Sequence, residues 1–189
     1  RYAYWKGILN LSYIVADISN IEIDPAISNS LLQHTMVAPY VRSYSVESYE
    51  QALLFVDGRY VRALDCGVHN WWKNKTVINV GKIDTRQMQL EISGQEILTK
   101  DKAALRINAL LTYRVTNAEK ALLQNAGYDK LLYVAAQLAL REIVGENSLD
   151  ELLEKKNVIA PFVLQHINLK AAELGVLVSG LGIRDIILP

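Results

Sequence analysis

The chain has 189 residues, 51% of them hydrophobic, and its 20 Lys+Arg balance 20 Asp+Glu for a formal net charge of zero. That much apolar material can fill a sizeable core and excludes wholesale disorder. The neutral balance argues against a general nucleic-acid binder, which needs a basic face. One cysteine, Cys66, excludes an intramolecular disulfide, and no run approaches the roughly 20 apolar residues of a membrane-spanning helix.

Residues 8–18 (ILNLSYIVADI) read as a strand. Residues 24–36 read as a turn and short helix, with Asp24 as N-cap and Pro25 at the first helical position. Residues 37–46 are extended. A strong hairpin signal follows, because 53–56 and 59–64 flank the pair Asp57-Gly58, the preferred two-residue turn. Trp71-Trp72 comes after it, and either dips into a membrane interface as a membrane-proximal pair or packs over the open end of the sheet. Trp72-Lys73 and Asp84 also repeat Trp5-Lys6 and Asp17 at a constant offset of 67 residues, an echo that reads either as a partial internal repeat or as chance.

Strands are expected over 76–84 and 88–92. From 103 to 115, Ala103, Leu105, Ile107, Ala109, Leu111, Tyr113 and Val115 alternate with mostly polar residues, as in a long, half-buried antiparallel strand. The period then changes to helical. Asn117 caps a short helix closed by Gly127, and 128–144 form a second helix ended by Gly145. Ser148 and Glu151 make a capping box for a third, and a last helix spans about 157–174 with Pro161 near its first turn. Residues 176–188 close the chain as a strand whose Gly180 and Gly182 suggest a bulge. Strands followed by helices predict a mixed α+β domain.

The second helix is apolar over more than the roughly 100° needed to lie on its own sheet. Its wide arc is covered either by the later helices of the same chain or by a second subunit. Leu132, Leu140, Arg141, Glu142 and Ile143 are the candidate self-association residues, with Glu142 either reaching solvent or pairing with an arginine across an interface. Catalytic constellations are absent: His34, His69 and His166 are scattered, and no cysteine pair, carboxylate cluster or phosphate-cradling glycine loop is present. No metal, cofactor or catalytic residue is expected. Asp84-Thr85-Arg86 reads either as an acid with its orienting base or, more plainly, as a turn or surface ion pair.

Gln95–Asp101 (QEILTKD), Thr112–Val115 (TYRV), Gln137–Gly145 (QLALREIVG), Ser148–Leu153 (SLDELL) and Gly175–Pro189 (GVLVSGLGIRDIILP) resemble the core of stomatin-like proteins. These are the slipins of the stomatin/prohibitin/flotillin (SPFH, or band 7) superfamily. The resemblance implies an α+β fold, a curved antiparallel β-sheet packed against several helices, over residues 50–189. Residues 1–49 would be a partial β-rich module and linker. It further implies a non-catalytic, membrane-associated scaffold that forms homo-oligomers and modulates membrane proteins or membrane organisation. The alternative is an adaptor for a membrane protease or partner peptide at an exposed sheet edge.

Asp65-Cys66-Gly67 departs from the Gly-Pro-Gly usual in stomatins, and the extra N-terminal segment looks more like the longer bacterial slipins. A chain beginning at Arg1 and stopping at Pro189 reads as a fragment. Its contact with the membrane surface and its coiled coil are expected outside it, and the domain itself is expected to be soluble and cytoplasmic.

Overall fold

The computed structural model describes residues 14–94, 96–154 and 156–188, without the side chains of 156–159. The most internal element is β8 (Ala104–Val115), where the alternation read from the sequence becomes burial of every second residue, Leu105 through Val115. Along one edge β8 pairs antiparallel with β6 (Met88–Ile92) and then β7 (Glu96–Leu98). Along the other it pairs with β9 (Val176–Ile187) over its whole length. β9 carries two bulges, at Ser179 beside Gly180 and at Arg184, which bend it around the helices as the glycines suggested.

Behind this sheet lie α2 (Tyr128–Glu146), α3 (Leu149–Glu154) and α4 (Lys156–Glu173). α2 points Leu132, Ala136, Ala139, Leu140 and Ile143 at Ala109, Leu111 and Tyr113, and α4 adds Val163, Ile167 and Ala171. Each fully buried leucine in such a layer stabilises by about 1.5–3 kcal/mol. The capping box forms as expected: the Glu151 N–H donates to Ser148 Oγ at 3.3 Å and the Ser148 N–H to Glu151 Oε2 at 3.0 Å. Asn117 Oδ1 accepts the Lys120 N–H, but the short helix it opens widens into a π-helical turn, Lys120–Gln124.

A second sheet holds the hairpin β2 (Glu50–Val56) and β3 (Arg59–Leu64), with β5 (Ile78–Asp84) on the far side of β2. Asp57 and Gly58 both have positive φ, 48° and 76°, which gives the turn the right-handed twist its strands need. The Tyr60 hydroxyl donates to the Glu119 carboxylate and ties the hairpin to the π-helical turn.

The N-terminal part departs most from expectation. Residues 8–13 lie outside the described residues, and 14–17 carry no strand pairing. Within 24–36 a turn and a short helix, α1 (Asn29–Leu32), do form, but the helix is capped by Ser28 rather than Asp24, which instead accepts the Ala26 N–H in the preceding turn. β1 (Val41–Val46) pairs with β4 (Gly67–Trp72), a strand the sequence did not announce, so residues on both sides of position 49 share a sheet. Asp17 and Asp84 both accept an N–H two residues on, at Ser19 and Arg86. Yet Glu22 bridges to Trp71 on β4, whereas its offset counterpart Gln89 pairs with Thr112 on β8.

The turn between α4 and β9 is closed by Gly175 (φ 72°), whose carbonyl accepts the N–H groups of Thr116 and Asn117 at 2.9 and 3.0 Å. A Cβ there would sit 2.4 Å from the Asn117 carbonyl oxygen. Gly175→Ala is therefore expected to lower the unfolding free energy by about 2 kcal/mol or more, combining left-handed strain with that clash. The urea midpoint reads the change.

A candidate interaction surface on the second and fourth helices

The width of α2's apolar arc resolves into two faces. The five residues named above point into the chain's own sheet, so Leu132 (0% exposed), Leu140 and Ile143 are core, and the expectation that they meet a second subunit is corrected. Of the five candidate self-association residues, only Arg141 and Glu142 reach the surface.

The second face is what remains exposed: Leu131, Val134 and Leu138 (59%) on α2, continued by Phe162 and Leu169 (69%) on α4. Between the helices lies a groove of about 430 Å³, apolar in its middle and edged by Glu142, Lys170 and Glu173. Lys170 and Glu173 form an exposed ion pair at 3.4 Å, and the Phe162 and His166 rings meet at 4.9 Å.

Leu131 and Leu138 were legible as apolar positions but not as the exposed ones. Phe162 and Leu169 were missed altogether, because α4 is apolar on several sides and shows no clear stripe. The signal that pointed this way was the excess width of α2. A helix lying on one sheet has no use for a second apolar stripe at 131, 134 and 138.

Trp71 and Trp72 do not form a membrane-proximal pair. Trp71 is 1% exposed, packs among Val46, Leu54, Leu64 and Ile78, stacks on His69 and meets Tyr44 edge-on. Trp72 is 5% exposed and covers Ile27 and Leu32. Both indoles close the cores at the end of β4, so neither ring is available to a lipid interface.

Asp84 and Arg86 are a surface ion pair. Arg86 Nε donates to Asp84 Oδ2 at 2.9 Å while its guanidinium lies 4.0 Å over the Tyr49 ring. Hydrogen bonding by Arg86 holds the Asp84 carboxyl below its usual range. Among the described residues, no group of three or more His, Cys, Asp or Glu is placed to hold a metal ion, and no helix is long and apolar enough to cross a membrane.

The QEILTKD stretch proves to be a latch. The Thr99 hydroxyl is buried, donates to the Asp101 carboxylate and accepts the Ala103 N–H at 2.9 Å. Asp101 in turn accepts the Leu149 N–H at 3.2 Å, pinning the start of α3 to the turn before β8. The Thr99 hydrogen bond, with help from Leu149, holds the Asp101 carboxyl below its ordinary value of 3.8.

The profile of the SPFH domain / Band 7 family matches residues 44–189, from within β1 to the C-terminus. A protein of Methanocaldococcus jannaschii is 32% identical over 141 residues, covering 75% of this chain and 70% of that protein. A stomatin homologue of Pyrococcus horikoshii is 32% identical over 146 residues, covering 76% and 53%. Mouse stomatin is 27% identical over 144 residues, covering 76% and 51%. The chain thus spans about half the length of these two stomatins.

Two outcomes test the assignment of faces. Leu132→Ala should cost about 2–5 kcal/mol of stability by opening a core cavity, whereas Leu138→Ala should stay within about 0.5 kcal/mol; urea denaturation separates them. For the latch, a depressed carboxyl stabilises the fold when ionised, and that contribution is lost as pH falls from 3.8 through the lower folded value. The difference in urea midpoint between the parent chain and Asp101→Asn should therefore be largest near neutrality and shrink on acidification.

The motif residues sit where this fold uses them, and the profile spans the sheet and all three helices behind it: the chain belongs to the SPFH domain / band 7 family and is a stomatin-like member of it.

Proposed function

We propose that this chain is a non-catalytic assembly module, a scaffold that packs against copies of itself beside a membrane and there modulates membrane proteins or membrane organisation. The observation that carries the reading is the exposed apolar stripe of α2 and α4, Leu131, Val134, Leu138, Phe162 and Leu169, which no element of the chain covers among the described residues. Contiguous apolar surface of this kind marks sites of association. Membership of a family of generally membrane-associated scaffolds supports the same reading.

A second reading, an adaptor that takes a partner peptide or membrane protease along a strand edge, draws on β9. Among the described residues β9 pairs only with β8, which leaves its outer edge open for strand addition. At Val178 that edge is closed, because Asn168 Oδ1 accepts the Val178 N–H at 3.0 Å and Asn168 Nδ2 donates to its carbonyl at 3.1 Å.

Light scattering coupled to size exclusion, across a concentration series, tests the first reading: the apparent mass should rise with concentration. A strict monomer at the highest concentrations reached would overturn it. The adaptor reading instead expects proline at an outward-facing N–H of β9, between Gly180 and Ile187, to abolish partner binding and leave self-association intact.

A further inference from the structure

One row of side chains on α2 has a symmetry that the apolar stripe alone does not. Lys130, Val134, Leu138 and Glu142 follow one another at i, i+4, and all four are exposed. Side chains at that spacing form a continuous ridge on a helix. Read along the ridge, the order is cation, apolar, apolar, anion. Turned end for end it reads anion, apolar, apolar, cation, so each position meets its complement. The midpoint of Val134 and Leu138 is also the midpoint of Lys130 and Glu142, position 136 in both cases.

We infer that this ridge is one half of an isologous contact with a second copy of this chain, across a two-fold axis that passes α2 beside position 136. The inference rests on the self-assembly reading and names the surface that performs it. Two i±4 ridges interdigitate when helices cross at about 50°. The two-fold then places Val134 against the partner copy's Leu138 twice over, at the centre, where burial is most complete. Lys130 faces the partner copy's Glu142 at each end, where the helix surfaces curve apart and only long side chains still reach. Neither Lys130 nor Glu142 takes part in an ion pair among the described residues, so both are available to such a contact. The groove beside the ridge, walled by Leu169 and Leu131, widens the apolar area on either side of the axis.

The alternative occupants fit less well. A strongly basic helix would be repelled at the Lys130 end, and an acidic one at the Glu142 end. A bilayer would have to desolvate both charges. A second copy of the same ridge, turned by half a revolution, satisfies both ends at once, as a two-fold contact requires.

Charge reversal gives the test. Sedimentation equilibrium on the 189-residue chain should show K130E and E142K each weakening self-association at least tenfold, since each places like charges together at both ends. The double variant K130E/E142K should return to within about threefold of the parent. So should an equimolar mixture of the two single variants, whose mixed pair carries opposite charges at both contacts. L138E should weaken association about a hundredfold, with circular dichroism and melting temperature unchanged because Leu138 lies outside the core. If the parent associates and K130E or L138E associates equally well, this surface is wrong and self-assembly through another one stands. If the single variants weaken association and neither the double variant nor the mixture recovers it, the two-fold register is overturned. A parent chain that stays monomeric throughout overturns the assembly reading and this inference with it.

Discussion

Everything else in this molecule depends on β8 being paired along both edges for most of its length and having one dry face. Its inner residues, Leu105, Ala109 and Leu111 among them, are sealed from solvent. Its backbone is paired on one side to β6 and β7 and on the other to β9. A strand so enclosed accepts only one register, since a one-residue slip would turn the apolar set outward against water. The helices inherit that precision. α2 and α4 are placed by the row of side chains that β8 presents, and their outer faces are presented to solvent by default. The candidate surface is therefore a consequence of the core: whatever α2 does not need for packing on β8 is left exposed.

The parts of the fold legible in the sequence were those with local signals. The period-two run of β8, the Asp57-Gly58 turn and the Ser148–Glu151 box each encode their structure within a few residues. The parts that were not legible depend on partners far away in the chain. β4, with the sequence GVHNWW, has no clean alternation and becomes a strand because β1 supplies its hydrogen bonds. For the same reason the two tryptophans left open both a membrane interface and packing over the end of the sheet, since the residues that cover them include Val46 of β1, Leu54 of β2 and Leu32 of α1. Asp24 offered the usual sequence cue for a helix start, yet the chain used it for a turn and let Ser28 cap instead.

The candidate site shows a subtler limit. An over-wide apolar arc on α2 left open whether the chain's own later helices or a second subunit covers it, and periodicity alone could not assign residues to buried and exposed faces. Leu132, Leu140 and Ile143 were the candidates for association, whereas the apolar residues that α2 leaves exposed are Leu131, Val134 and Leu138. Only the position of β8 separates them. The QEILTKD motif likewise carried the resemblance without disclosing what it holds together, a contact between Asp101 and the backbone of Leu149 across 48 residues of chain.

The amide of Asn168 imitates one peptide unit of a missing neighbour strand, filling both outward backbone positions of Val178. That mimicry halts lateral growth of the sheet at its Gly175 end while leaving the stretch toward Ile187 without a paired strand among the described residues. A strand from elsewhere that extends the sheet must therefore stop short of Val178, so its alignment on β9 is restricted before any side chain has been read. One carboxamide from a helix thus acts as a ruler for any strand that could be added along that border.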